Sequence, residues 1–291
     1  SDFNAQGRGG KGVTGAKLKD EDALSHMIHT TAHAYLLFFS NKGKVYRLKA
    51  HEIPSASRTA RGTPIVNLLP LHPDERIQAV VDTRDYETNR FLFFATKNGR
   101  VKKTLFTAYD SSLKAGLIAI KLNEGDELVS VVPTNGSDHI FLVSSMGQTL
   151  RVDEEKIRSM GRTAAGVNGM KFRVDDYLVS CAVSEEEAML LHLTTEGFGK
   201  RTEVEEFSVK GRGGLGVRGI KTTENRGTVA GALIVKGDDD ILAVTSSGKI
   251  IRLAVSEISI QGRDATGVRV MSPGEGEIIT AVSPAPTDSE A

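Results

Sequence analysis

The sequence has little cysteine, no long apolar run and no net charge. Its single cysteine, Cys181, excludes a disulfide framework and a cysteine-based zinc site, and is typical of a reducing cytoplasm. No apolar run approaches about 18 residues, so we expect a soluble chain with no membrane span and no signal peptide. Basic and acidic residues both number 37, so the total charge alone indicates no nucleic-acid partner.

Glycine, in contrast, is abundant, and the stretch QGRGGKG at 6–12 fits the dinucleotide-binding spacing G-x-G-x-x-G. That motif needs a strand before it and a helix after it, because the phosphates are bound by free N–H groups at a helix N-terminus. The residues that follow, VTGAKL, are poor helix formers. A P-loop is excluded as well, since Lys11 precedes the last glycine instead of following it. We therefore expect a basic loop and not a nucleotide site.

Two series of repeats, each with a period of about 50 residues, run through the chain. Five hairpin-like stretches, such as FLFFATKNGRVKKT, have the turn glycines Gly43, Gly99, Gly147, Gly197 and Gly248. Six box loops, each followed by a short apolar strand, span 6–12, 55–62, 111–116, 161–166, 210–216 and 261–267. With the apolar runs between them, each repeat supplies four strands, which predicts an all-β, radial, propeller-like fold. Single helical turns are expected only near KAHEIP and DEEKIRSM.

The neutral total charge hides a strong segregation. Twenty basic residues and one acidic residue, Asp264, lie in the box loops and in the second hairpin segments GKVYRLK, GRVKKT, GQTLRV, GFGKRT and GKIIRL. Acidic residues gather in the turn after each box strand, for example at Asp74 and Glu75. Equivalent positions of a radial fold share one rim, so we expect an exposed basic belt that matches a polyanion and an acidic surface elsewhere. Alternatively, such cations protect strand edges.

The residues of the first box loop resemble the signature Q-[RK]-R-G-G-[RK]-G of the C-terminal domain of the DNA gyrase A protein. The signature box comprises Gln6, Gly7, Arg8, Gly9, Gly10, Lys11 and Gly12, with Gly7 in place of the usual second cation. Later loops such as ASRTARG, MGRTAAG and KGRGGLG resemble degenerate forms of it. The resemblance covers essentially the whole chain.

The resemblance implies a six-bladed β-pinwheel of four-stranded blades that exchange strands and wrap duplex DNA, independently of sequence, around a basic perimeter. One hairpin expected before the first box loop is missing from this chain. Either the chain starts downstream of that hairpin, or the assembly has five blades and a half-blade. The cations expected to contact DNA are Arg8, Lys11, Lys44, Arg47, Arg58, Arg61, Lys102, Lys103, Arg151, Arg162, Lys200, Arg201, Arg212, Lys249, Arg252 and Arg263.

The resemblance also implies a domain that is not an enzyme by itself but part of an ATP-dependent type II topoisomerase of the bacterial cytoplasm and nucleoid. Its partners would be the remainder of the gyrase A protein and the gyrase B protein, with no membrane partner. No cofactor is expected here, and ATP and magnesium would bind other parts of the enzyme. The strand-cleaving tyrosine would also lie outside this chain. Of the five tyrosines, Tyr46 and Tyr109 are interpreted as surface contacts and the others as packing residues.

We expect one pinwheel domain over 1–286 and a tail at 287–291. Its repeat units are 6–54, 55–110, 111–160, 161–209, 210–260 and 261–286.

No metal site is expected. The histidines of HMIHTTAH (His26, His29 and His33) have no cysteine or carboxylate placed to complete a ligand set. Cys181 is interpreted as a core residue. The alternative functions are the C-terminal domain of topoisomerase IV and a propeller scaffold that binds an acidic protein. A propeller enzyme would need repeated inward-facing histidines or carboxylates, which the sequence does not show.

Overall fold

The computed structural model describes residues 35–49, 68–110 and 116–286, together with the backbone of two short strands, Ala5–Gln6 and Gly10–Lys11. The regular elements of these ranges are β-strands and 3₁₀ turns, which confirms the predicted all-β class. Within the same ranges, no helix is long and apolar enough to cross a membrane.

The strands form five blades, which we number I to V in chain order. The strands of each blade are named in order from the centre of the fold outward: the inner strand, the two hairpin strands and the outer strand. Blade I consists of Ile77–Asp82, Tyr35–Ser40, Lys44–Lys49 and Leu117–Ile118. Blade II consists of Leu128–Thr134, Phe91–Thr96, Arg100–Leu105 and Val167–Asn168.

The remaining three blades repeat this order. Blade III consists of Leu178–Val183, His139–Ser144, Gln148–Asp153 and two short outer strands, Val209–Lys210 and Val217–Arg218. Blade IV consists of Val229–Val235, Met189–Thr194, Phe198–Glu203 and Val268–Arg269. Blade V consists of Ile279–Pro284, Asp240–Thr245, Ile250–Ala254 and Ala5–Gln6.

The hairpins lie where the sequence predicts them. All five turn glycines adopt φ values between 77° and 89°, a left-handed conformation that favours glycine. Short 3₁₀ turns occupy Thr83–Glu87, Phe106–Tyr109, Glu154–Lys156, Val204–Glu206 and Val255–Glu257. The turn at Glu154–Lys156 confirms the helical turn predicted in DEEKIRSM. The one predicted in KAHEIP lies almost entirely outside the described residues.

Four of the six hydrophobic clusters of the described residues lie between neighbouring blades. Phe94 of blade II packs toward blade I with Leu37 and Phe39, whereas Phe93 packs toward blade III with Leu142. Successive side chains of a strand point to opposite faces, so a strand sandwiched between two neighbours buries both of its faces. This explains why the first hairpin strands are continuous apolar runs such as FLFFAT, without polar alternation.

The inner strands surround a central cavity of about 560 Å³, lined by residues of all five blades, including Gln78, Ser130, Ser180, Ala232 and Thr280. Inner strands of consecutive blades also pack against one another. The radial arrangement predicted from the repeats is therefore confirmed.

Each blade takes its outer strand from a later or distant part of the chain. The outer strand of blade II, for example, lies more than 60 residues beyond the hairpin strand with which it pairs, at the register Val167 with Val101. Blade V is completed by the first described strand, in which Ala5 pairs in parallel with Arg252. Gly10–Lys11 pairs likewise with Met271–Ser272. The strand exchange of a pinwheel is thus present, and the first box loop joins the last blade.

The described residues form five blades, whereas the sequence analysis predicts six. That number was implied by the family resemblance, together with one further hairpin. A blade needs a hairpin as its two middle strands, and the described residues contain five such hairpins. The box loop at 55–62 lies outside the described residues.

Candidate nucleic-acid interface

The described box loops lie at the outer edge of the fold, each folded over the second hairpin strand of an earlier blade. A residue one or two positions before the loop pairs in parallel with that strand, as at Ser159 with Lys103 and Ile260 with Arg201. The box strand after the loop then pairs antiparallel with the beginning of the same hairpin strand. A box loop is therefore a tight reversal on the outermost edge of a blade.

The glycine that ends each box loop is required by this close packing. A Cβ atom on Gly216 would lie 2.5 Å from the carbonyl oxygen of Thr149, and Gly166 is in the same position against Val101. Both glycines also have positive φ, 72° and 87°. Conformation and lack of space, not phosphate binding, account for this glycine of the motif.

Each of the last three box loops contacts the box strand of the previous repeat or the residues that follow it. The main-chain N–H of Lys171 donates to the carbonyl of Gly214 at 2.9 Å, and that of Lys221 donates to Ala265 at 3.1 Å. In the box loops 161–166, 210–216 and 261–267, the arginine four residues before the final glycine reaches a carbonyl of the previous box strand. These pairs are Arg162 with Ile118, Arg212 with Asn168 and Arg263 with Arg218. The described box loops and box strands thus form one continuous row along the outer edges of the blades.

Three of the predicted belt cations are buried. Lys102 and Lys200 are 0% exposed and Lys103 is 6% exposed. The ammonium of Lys102 donates to the carbonyls of Ala119 and Arg162, both at 2.6 Å, and that of Lys103 donates to Glu154 at 2.8 Å. The predicted exposure of these three side chains is wrong. Lys102 and Lys200 lie beneath box loops, whereas Lys103 binds a 3₁₀ turn, so we leave all three out of the proposed DNA surface.

Burial changes the acidity of two of these groups. Loss of hydration disfavours a charged ammonium, and this effect lowers the pKa of Lys102 to about 7. The neighbouring guanidinium of Arg162 adds a smaller repulsion. Burial likewise lowers the pKa of Lys200 to about 8, an effect that Glu206 and Asp264 partly oppose.

Other belt cations lie four residues after the turn glycine, one position beyond the column of Lys102 and Lys200. These cations bind the 3₁₀ turn of the next repeat. Arg47 donates to Asp110 at 2.8 Å, Arg151 to Val204 at 3.0 Å, and Arg201 to Ile258 at 2.7 Å. A cation here satisfies carbonyl groups at the end of the turn, whereas a carboxylate would be repelled by them. The cation at this strand position therefore joins two repeats, and DNA binding by Arg47, Arg151 and Arg201 stays a prediction.

Two other belt cations have carboxylate partners. Arg252 is half-buried and donates to Asp240 at 2.8 Å, and Lys249 lies 3.3 Å from Glu277. Lys44 is half-buried at the start of its strand.

Arg8, Arg58, Arg61, Gly7, Gly9 and Gly12 lie outside the described residues, as do the side chains of Gln6 and Lys11. The assignment of all of these to DNA binding or to the signature box stays a prediction.

The acids after the box strands have structural roles as well. Glu75 accepts from the hydroxyl of Tyr46 at 2.8 Å, Asp126 from the N–H of Asn98 at 3.0 Å, and Asp176 from the hydroxyl of Ser145 at 2.7 Å. Each carboxylate therefore fixes the hairpin of its own blade. Glu75 and Asp126 are buried, so the expectation of a uniformly exposed acidic surface is wrong at these positions.

Two of the tyrosine interpretations are reversed. Tyr46 and Tyr109 are both 1% exposed and therefore make no surface contact. Tyr86 and Tyr177 are the exposed ones, at 49% and 39%. Cys181, by contrast, is buried as predicted, and burial raises the pKa of its thiol to about 12. Among the described residues, no group of three or more histidines, cysteines or carboxylates could hold a metal ion.

The family was decided by comparison with known proteins. A family model described as "DNA gyrase C-terminal domain, beta-propeller" matches six segments that cover most of the chain: 1–31, 34–83, 90–135, 138–185, 188–236 and 239–286. The chain belongs to this family. The gyrase-type resemblance of the box motif is thereby confirmed.

Curated relatives of the domain agree with this. It is 44% identical over 291 residues to the DNA gyrase A protein of Mycolicibacterium smegmatis, an alignment that covers 99% of this chain and 35% of that protein. It is 43% identical over 282 residues to the DNA gyrase A protein of Salmonella typhimurium, covering 97% of this chain and 32% of that protein. The chain spans about a third of the length of these relatives.

Solved structures show the same fold. A structure of the DNA gyrase A C-terminal domain matches with a TM-score of 0.82 and 28% identity, covering 97% of this chain and 93% of that one. A crystal structure of the C-terminal domain of DNA topoisomerase IV matches with a TM-score of 0.77 and 29% identity, covering 88% and 80%.

The structure also reveals exposed cations that the motif analysis missed. The residue five positions after the final box glycine is an exposed lysine in three repeats: Lys121, Lys171 and Lys221. Arg218 and Arg269, two positions after that glycine, are exposed as well. The signal was present in the sequence, because aligning the repeats on the glycine places these lysines in one column. The predicted basic belt included each box loop only as far as its final glycine, so these later cations were not part of it.

Proposed function

We propose that this gyrase-type domain binds duplex DNA along the row of box loops and bends it around the outer edges of the blades. In the complete enzyme, this wrapping would direct strand passage toward negative supercoiling. The observation that carries the proposal is the continuous row of box loops, with exposed cations at repeated positions on successive blades. A polyanion with evenly spaced phosphates matches such a row better than a small ligand does.

The surface for DNA consists of the box arginines and the cations that follow each box strand. In the described residues these are Arg162, Arg212, Arg263, Lys121, Lys171, Lys221, Arg218 and Arg269. We propose that this surface also includes the cations of the first two box loops, namely Arg8, Lys11, Arg58 and Arg61, because the repeat places them at equivalent positions. Contacts of this kind are to phosphates, so binding would depend little on base sequence.

The rest of the assignment follows from the family. We propose that the domain is not catalytic itself, and that cleavage, ATP and magnesium belong to the remainder of the gyrase A protein and to the gyrase B protein in the bacterial cytoplasm. We also propose a complete ring of six blades. The six matched segments support this, and the sixth blade would need one hairpin besides the five described.

A topology assay tests DNA wrapping. Relaxed circles are closed by ligase in the presence of this chain, and the change in linking number is measured. We expect the native chain to shift it, and the variant Lys121→Gln, Lys171→Gln, Lys221→Gln to shift it less. A native chain that binds DNA but leaves the linking number unchanged would contradict the proposal.

A matched control removes the same charge elsewhere. Arg84, Arg90 and Lys236 are exposed at the ends of strands opposite the hairpin turns. Changing all three to Gln should leave the linking-number shift unaltered. An equal loss in both triple variants would show that only total charge matters, and not the row of box loops.

A further inference from the structure

One buried position of the second hairpin strand holds a lysine in some blades and an apolar or aromatic residue in others. The third residue after the turn glycine is a lysine in blades II and IV, but Tyr46 in blade I, Leu150 in blade III and Ile251 in blade V. All five of these side chains are buried, at 3% exposure or less. The blade therefore accepts an apolar side chain at this position, and its fold alone does not require Lys102 or Lys200.

An ammonium group in a buried site is costly unless it is well bonded. Both lysines have the same partners, the carbonyls of two consecutive residues at the start of a box loop. Lys102 binds Gly161 and Arg162, and Lys200 binds Gly262 and Arg263. Lys102 also binds Ala119, which follows the previous box strand, and so ties two successive boxes together.

The second carbonyl in each case belongs to a box arginine of the proposed DNA surface. The lysine thus fixes the backbone of the residue whose guanidinium lies at the outer edge. The box loop 210–216 has no such support, because Leu150 takes the place of the lysine beneath it. From blade III the described side-chain bond to this loop is that of Gln148 to Leu215, at 3.4 Å.

We propose that Lys102 and Lys200 are positioning residues of the DNA interface, which fix the box loops 161–166 and 261–267 so that these two loops can hold a bent duplex. The inference rests on the proposed function. A bent duplex pushes back elastically against its supports, so a loop held in place sustains a bend that a loose loop does not. A loose loop still presents its charge, because electrostatic attraction needs no fixed geometry.

Loop mobility gives the first test, in a crossed design. A nitroxide label is placed at Thr163→Cys or at Asp264→Cys, the same position of the two supported loops, while buried Cys181 stays unlabelled. Lys102→Met should increase label mobility at 163 and not at 264, and Lys200→Met should do the reverse. Unchanged mobility at both labels would overturn the proposal.

The Met variants should remain folded, because an apolar residue is native at positions 150 and 251. Lys102→Leu and Lys200→Leu repeat the test with the residue found in blade III. If both the Met and the Leu variants unfold, the ammonium groups serve the blade itself, and the proposal is wrong.

Fluorescence energy transfer between the ends of a duplex long enough to bend gives the second test. The double variant Lys102→Met, Lys200→Met should lose bending at saturating protein, with unchanged affinity for a duplex too short to bend. If the native chain bends DNA and the variant bends it equally, this inference alone fails. If the native chain does not bend DNA, both the proposed function and this inference are wrong.

Discussion

At the scale of single residues, burial sets the role of the hairpin lysines. The ammonium of Lys102 faces carbonyl oxygens and the ring of Phe94, 4.6 Å away. No carboxylate of the described residues is a hydrogen-bond partner of it. Such a site accepts a cation or an apolar group and rejects an anion.

Charge reversal at this site should therefore unfold the protein. Lys102→Glu places a carboxylate against several carbonyl oxygens, and we expect a loss of stability above about 4 kcal/mol, measured by urea unfolding. Lys121→Glu, an exposed lysine, is the control and should change stability by less than about 0.5 kcal/mol. A mild effect at Lys102 would mean that its side chain is accessible to solvent.

The low pKa values of Lys102 and Lys200 predict a dependence of stability on pH. In the unfolded chain a lysine has a pKa of about 10.4, so folding releases protons between the folded and unfolded values. Between these values the unfolded state binds more protons than the folded state. The free energy of unfolding therefore rises from about pH 7 toward pH 10. Each of the two lysines contributes at most about 1.4 kcal/mol per pH unit.

Urea unfolding at pH 7 and pH 9.5 checks this. The gain in stability with pH should be larger for the native chain than for the double variant Lys102→Leu, Lys200→Leu, which lacks both titrating groups. Equal gains in the two proteins would show that neither lysine titrates in this range.

At the scale of elements, the repeats are joined by the arginines of the second hairpin strands. Arg151 bonds two carbonyls of the 3₁₀ turn that begins at Val204, at 3.0 Å and 3.2 Å. Without the guanidinium these carbonyls lose a donor, and the turn loses its tie to the neighbouring blade.

The variant Arg151→Met should cost about 1–3 kcal/mol of stability. It should also speed hydrogen exchange of the Phe207 amide, which closes this turn by donating to Val204 at 3.1 Å. Arg158→Met, at an exposed position, should leave both quantities unchanged. Faster exchange across the entire chain, instead of at this turn, would contradict a local role for Arg151.

At the scale of the whole molecule, DNA binding should be electrostatic. With about six to ten phosphate contacts, log K should fall against log salt with a slope of roughly −5 to −9. Titrations of a duplex at several salt concentrations, with two unrelated sequences, measure this. A shallow slope, or a strong preference for one sequence, would contradict a phosphate-binding row.

The first box loop closes the arrangement, since its flanking strands pair with blade V and with Met271–Ser272. Replacing Arg8, Gly9, Gly10 and Lys11 by alanine removes two charges but leaves the peptide groups that make these pairings. The variant should fold and bind duplex but bend it less, because one end of the arc is released.

The same change in the complete enzyme should abolish supercoiling while relaxation survives, since cleavage would use residues outside this chain. Energy transfer between DNA ends and a gel assay of topology measure the two effects. Unchanged bending together with unchanged supercoiling would show that the first box loop is not needed for wrapping.

The sequence by itself determined the repeat, the all-β class and the family. A hairpin depends on local signals, namely a turn glycine between apolar runs, and such signals can be read without knowing the neighbours. The box motif is equally local, and its final glycine, as at Gly166 and Gly216, occurs where the chain must pass close to another backbone.

The tertiary structure alone decided which cations face solvent. Lys102 and Lys121 are both lysines of the repeat, yet one lies under a box loop and the other beside it at the surface. The difference arises because the box loop 161–166 folds over the hairpin strand of Lys102, more than 50 residues earlier in the chain. The charge pattern of the sequence does not show which box loop covers which hairpin strand. The burial of a given cation is therefore known only once the strand exchange between blades is known.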